Sequence, residues 1–104
     1  MTIVKIHGHT VPATSERIGT REFLDLTGLT EDALMELVRL DWLVPARTAQ
    51  QEFLFVSMDV PRVRKYRRLC SDFELSPVAG IIIVDLLERI AQLEERLSAR
   101  SSRF

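Results

Sequence analysis

The chain has 104 residues, 46 % of them apolar and 28 % charged, which is the composition of one small globular domain with an adequate core. Lys and Arg (14) nearly balance Asp and Glu (15), so no whole-molecule field draws it to nucleic acid or to an anionic membrane. A single cysteine, Cys70, excludes an intramolecular disulfide framework and fits a reducing, cytoplasmic setting.

Residues 1–17 form an N-terminal extension. "TIVKI" suits a short edge strand, and "HGHTVPATSE" is rich in turn formers and reads as loop. The start lacks the cationic flank and long apolar stretch of a signal peptide, and no apolar stretch approaches the roughly 20 residues needed to span a bilayer.

From Thr20, read as a cap, "REFLDL" turns Phe23, Leu24 and Leu26 inward until Gly28 stops the helix. Thr30 caps the next helix, with Glu31 and Asp32 in the first turn, where the helix dipole favours carboxylates. Leu34, Leu37, Val38 and Leu40 then recur at helical spacing. Two short helices joined by "TGL" have the layout of a helix-turn-helix.

"WLVP", a polar "ARTAQQ" and "EFLFV" predict two short strands around a loop, a hairpin wing over residues 43–55. Pro45 is then acceptable only because the strand is short and at an edge. Ser57 or Asp59 caps a third helix reaching about Asp72, with Pro61 in its first turn. Ser76-Pro77 opens a fourth and longest helix that runs to about Ala99 before a fraying "RSSRF". The domain reading is therefore an extension (1–17), a compact unit (18–75) and a terminal helix (76–104). There are no internal repeats.

The second helix of a DNA-reading pair needs Arg, Lys, Asn or Gln on its exposed side. Here the outward positions read as Glu31, Asp32, Met35, Glu36 and Arg39. Carboxylates there oppose phosphates. A dipole role accounts for Glu31 and Asp32 but not for Glu36, and an acidic face around Met35 suits a basic protein partner.

The third helix carries the basic cluster "PRVRKYRRLC". Val63, Tyr66, Leu69, Cys70 and Phe73 form one arc, Arg64, Lys65, Arg67 and Arg68 the other, with Arg62 at the boundary. Most such faces are simply solvated sides of amphipathic helices. A nucleic-acid reading would use Arg62, Arg64, Lys65, Arg67 and Arg68 as salt-sensitive phosphate contacts.

The fourth helix has a seam at Ala79, Ile83, Leu86, Ile90, Leu93 and Leu97, alternating steps of four and three. Ile81, Ile82, Val84 and Leu87 widen its first half, which packs on its own domain. The narrower second half needs a partner helix, so Ile83, Leu86, Ile90, Leu93 and Leu97 are expected at a homodimer interface.

No enzyme signal stands out. His7 and His9 have no metal-ligand partners at suitable spacing, the serines lack a nucleophile motif, and the four glycines are isolated. No metal or cofactor is implied, and Cys70 is expected to pack in the core.

"IGTREFLDLTGLTEDALMELVRLDWLVP" followed by "EFLFVSMDVPRVRKYRRL" resembles the winged helix-turn-helix of MerR-type regulators. It resembles the CbpM family of chaperone modulators more closely than it does those regulators. The resemblance lies in Glu22-Phe23, Thr27-Gly28, Thr30-Glu31-Asp32, Leu34, Glu36-Leu37-Val38 and Pro45, and in the terminal "DLLERIAQLEERL". It covers about residues 18–98; the N-terminal segment lies outside it. MerR activators have basic and aromatic residues where Met35 and Glu36 stand here, and an effector domain that is missing. The fold implied is mainly α, with a short hairpin wing and a long C-terminal helix. The function implied is a non-enzymatic adaptor that binds and inhibits the J-domain of a DnaJ-like, CbpA-type co-chaperone. The alternative is a small MerR-like DNA-binding transcriptional regulator.

Overall fold

The structure, a computed structural model, describes residues 3–6, 9–12 and 16–101, with side-chain surroundings from 16 to 100. Its elements in chain order are β1 (Ile3–Ile6), β2 (His9–Pro12), β3 (Arg17–Gly19), α1 (Thr20–Thr27), α2 (Glu31–Arg39), β4 (Ala46–Arg47), β5 (Phe53–Val56), α3 (Asp59–Phe73) and α4 (Pro77–Ser101).

β1 agrees with the edge strand expected at "TIVKI". β2 does not agree with a loop: His9–Pro12 pairs antiparallel with β1, Val4 opposite Val11. His7 lies outside the described residues.

The second sheet has the order β3-β5-β4, antiparallel throughout, with Ile18 opposite Phe55 and Ala46 opposite Leu54. The wing is thus shorter than expected at its first strand. Trp42 and Leu43 are not strand residues but buried plugs, and Pro45 precedes β4 instead of lying within it. β3 supplies the third strand and leads straight into α1, so the wing is tied to the helix-turn-helix.

Gly28 ends α1 in the left-handed region (φ 77), where its N–H donates to the Leu24 carbonyl; a side chain would be strained there. The start of α1 differs from the expectation: Gly19 is the capping residue and Thr20 is already helical. Leu26 is exposed, and Thr27 is buried instead, its hydroxyl donating to the Phe23 carbonyl at 2.8 Å. A threonine can turn inward on a helix because this bond satisfies its oxygen locally.

Thr30 caps α2 as expected, its Oγ1 accepting from the Ala33 N–H at 3.2 Å. Neither Ser57 nor Asp59 caps α3; Met58 precedes the helix, and Asp59 is buried in its first turn. Ser76 does support the start of α4, accepting from the Ala79 N–H at 3.3 Å.

The core gathers Phe23, Leu34, Leu37, Trp42, Leu43, Phe55, Val63, Tyr66 and Val84. Phe23 stacks on Phe55 with ring centroids 4.6 Å apart, joining α1 to the sheet. α4 is fastened to α3 at Gly80, where a Cβ would overlap Cys70 Sγ and lie 2.8 Å from Tyr66 Cε2. Only a residue without a side chain lets the two helices come this close. Cys70 packs, half-buried, against the core, in line with the expectation.

Candidate functional site

The outward face of α2 begins at the capped turn. Glu31 and Asp32 are exposed, and their position in the first turn lets the helix dipole stabilise them. Arg39, the single cation of the helix, pairs with Glu36 one turn back. The uncompensated charge of this helix is therefore concentrated at Glu31 and Asp32, a narrower patch than the sequence suggested. Met35 is not fully outward either. It is half-buried and packs against the core, so only part of its thioether side faces solvent. On α1, Glu22 and Asp25 add exposed carboxylates.

The basic helix α3 presents Arg64, Lys65, Arg67 and Arg68 outward, as its pattern implied. Arg62 does not join them. Its side chain is 7 % exposed and is held from two sides: Nη2 donates to Asp85 Oδ1 at 2.9 Å and Nε to Glu88 Oε1 at 3.1 Å. Its guanidinium carbon lies 4.0 Å from the Trp42 ring centroid. Both carboxylates come from α4, more than twenty positions away, and no helical wheel of α3 contains them. Arg62 is thus a structural pin between helices and is removed from the phosphate-contacting set. Phe73, assigned to the inward arc, is exposed at the end of α3.

Arg64 and Arg67 are also partly engaged. Arg64 Nε donates to the Leu26 carbonyl at 2.7 Å, using an acceptor left free at the end of α1. Arg67 lays its guanidinium against Gly28. Together with α1, α3 frames an open cleft of about 740 Å³ lined by Leu26, Arg64, Lys65, Arg68, Leu69 and Leu87, among others.

On α4 the seam splits by depth. Gly80 and Val84 are buried and Ile81 packs against the core, while Ile83 is half-buried. Leu86, Ile90, Leu93 and Leu97 are exposed. Ile82, expected to help pack the first half, is exposed instead. The helical period puts Ile82, Leu86, Ile90, Leu93 and Leu97 on the side away from Gly80 and Val84, which accounts for the difference.

Burial holds the Tyr66 phenol well above its ordinary pKa, with Cys70 and then Glu36 adding to the effect. The ring is an inert part of the α3–α4 contact. Among the described residues no group of three metal-ligating side chains is assembled, and no helix is long and apolar enough to cross a membrane.

Two short helices with a capped turn, a wing tied to them by β3 and a helical extension form a winged helix-turn-helix. The sequence model for a MerR HTH family regulatory protein matches residues 18–100. The chain belongs to that family. No curated protein matches it. Membership accounts for the architecture from β3 through α4, and it makes the protein a small regulator built on a MerR-like domain. In a helix-turn-helix the second helix, here α2, is the one that enters a DNA groove. Its exposed side opens with carboxylates.

Proposed function

We propose that this MerR-family protein is a non-enzymatic adaptor whose α2 face occupies the J-domain of a DnaJ-like, CbpA-type co-chaperone and keeps it from its chaperone. The observation that carries the reading is the charge of α2: Glu31 and Asp32 stand exposed, and the one cation, Arg39, is already paired with Glu36. Entering a major groove would press those carboxylates toward phosphates, with no free cation on the helix to offset them. A basic protein surface is the complementary target. Opposite charges would speed the encounter and make it salt-sensitive. The accessible part of Met35 offers an adaptable apolar contact beside them. The similarity to CbpM-type modulators over Glu22-Phe23, Thr27-Gly28 and Thr30-Glu31-Asp32 names the kind of partner.

The protein also acts, on this reading, as a homodimer joined through Ile83, Leu86, Ile90, Leu93 and Leu97 of α4. The support is the exposed stripe of Leu86, Ile90, Leu93 and Leu97, with half-buried Ile83 at its upper end.

Calorimetry with the J-domain of a genomically adjacent co-chaperone tests the adaptor reading. Wild type should bind, and a folded Glu31→Lys/Asp32→Lys/Glu36→Lys variant should bind far more weakly. Unchanged affinity in that variant moves the site off α2, and absence of wild-type binding ends the reading. Tight, sequence-selective duplex binding at physiological salt would favour the DNA-binding regulator instead.

A further inference from the structure

The cleft beside α3 has a chemistry that the α2 face does not use. Its floor is the outward side of α3, its walls are the end of α1 from Asp25 to Gly28 and, across from it, Leu87 of α4. Lys65 and Arg68 stand in it without a hydrogen bond or ion pair among the described residues. Arg64 is fixed alongside by its bond to the Leu26 carbonyl, so its charge is held over the cleft at little further entropic cost. Leu26, Leu69 and Leu87 contribute apolar wall between these cations.

We propose that this cleft docks an acidic protein segment, one with carboxylates spaced around one or two bulky apolar side chains. The cations select the carboxylates, and the leucines receive the apolar anchor. A nucleic-acid backbone has the right sign but the wrong remainder. It offers nothing to bury against Leu26, Leu69 and Leu87. Apolar wall between fixed cations is instead the arrangement of a peptide groove, in which anchors give affinity and charges give orientation. The inference does not rest on J-domain binding, since it uses different residues of opposite charge.

The test uses the full chain and a short fluorescein-labelled peptide in which glutamates surround two leucines, read by anisotropy. Saturable binding is expected, weakened about tenfold or more by Lys65→Glu/Arg68→Glu. Both positions are exposed, so the fold should survive, and circular dichroism with the milder Lys65→Gln/Arg68→Gln variant checks that charge and not unfolding causes the loss. Replacing the two leucines of the peptide by alanine should weaken binding at least about threefold, the value of a modest apolar contact. Random-sequence duplex DNA should compete poorly. The proposal is overturned by any of four results: no saturable binding, equal affinity in Lys65→Glu/Arg68→Glu, indifference to the leucines, or DNA that displaces the peptide more readily than unlabelled peptide does.

Discussion

The Arg62 guanidinium sits 4.0 Å from the centroid of the Trp42 ring, and the Trp42 indole N–H and Arg62 Nη2 both donate to the same oxygen, Oδ1 of Asp85. One carboxylate thus closes a triangle between the segment after α2, the first turns of α3 and the middle of α4. This is why a residue outside any strand, Trp42, is among the most deeply buried in the protein.

Arg62→Ala should therefore destabilise the fold, although a surface arginine usually costs little. Cation–π contact supplies about 0.5–2 kcal/mol, and the two ion pairs add to it. Asp85 is about half exposed, so water screens part of the loss when its partner is removed, and about 2–3 kcal/mol is the expected total. Arg62→Lys should recover little of this, because an ammonium cannot stack on the indole while bridging two carboxylates. Urea unfolding of the three proteins checks both statements; a loss under about 0.5 kcal/mol for Arg62→Ala would refute the pin.

Arg62 also marks where sequence reading stopped. Many local signals were legible: Gly28 as a left-handed stop, Thr30 and Ser76 as caps, and helical spacing in α2 all depend on residues within one or two turns, although Gly19 and not Thr20 caps α1 and neither Ser57 nor Asp59 caps α3. What sequence could not reveal depends on distant partners. β3 is three residues long and exists because β5 pairs with it. Trp42 and Leu43 look like strand residues by type but are buried in the core, Trp42 against Tyr66 and Arg62 of α3 and Asp85 of α4. At the candidate site, the α2 charges were legible from spacing, whereas the engagement of Arg39, the half-burial of Met35 and the recruitment of Leu26 into the basic cleft were not.

Gly80→Ala should destabilise by about 1–3 kcal/mol, the usual result of forcing a methyl into a packed contact. In most helices the same change is favourable, so the sign itself is diagnostic. The added methyl would overlap Cys70 Sγ and crowd the Tyr66 ring. Adding Cys70→Ala should recover part of the loss, leaving the clash with Tyr66. A double-mutant cycle by thermal unfolding measures the coupling, and strictly additive effects would contradict the contact.

Tyr66 gives a pH dependence of definite sign. Its phenol is raised in the folded state, first by burial and then by Cys70 and Glu36, while in the unfolded chain it titrates near its ordinary value of about 10. The neutral ring is therefore favoured by folding. The stability this contributes is intact below about pH 10 and falls as pH rises above it, because the unfolded state ionises first. Tyr66→Phe removes the titration, so wild type should lose stability relative to the variant on raising pH from about 9 to about 11. Denaturant unfolding at several pH values reads the gap directly, and a constant difference would show that the phenol is accessible.

The stripe on α4 leads to the dimer prediction. Leu86 and Leu97 are 57 % and 61 % exposed, and Ile90 and Leu93 lie between them on the same side of a 25-residue helix. A row of large apolar side chains at heptad spacing is costly to leave in water, and a second copy of the same helix would cover it. Arg89 and Arg96 lie on one flank of the stripe and Glu94 on the other. A parallel pair brings these flanks together with opposite charges, whereas an antiparallel pair sets like against like. Light scattering at micromolar concentration should report a dimer, and Leu93→Asp should convert it to a monomer with α4 still attached to its own domain through Gly80 and Val84. Arg89→Glu then reads direction, since a parallel pair sets Arg89 across from Glu94 and an antiparallel pair sets arginine flank against arginine flank. Weaker association marks parallel helices, because an attractive pair is lost; tighter association marks antiparallel ones, because a repulsive pair is relieved. A wild-type monomer whose mass is unchanged by Leu93→Asp would refute the interface itself.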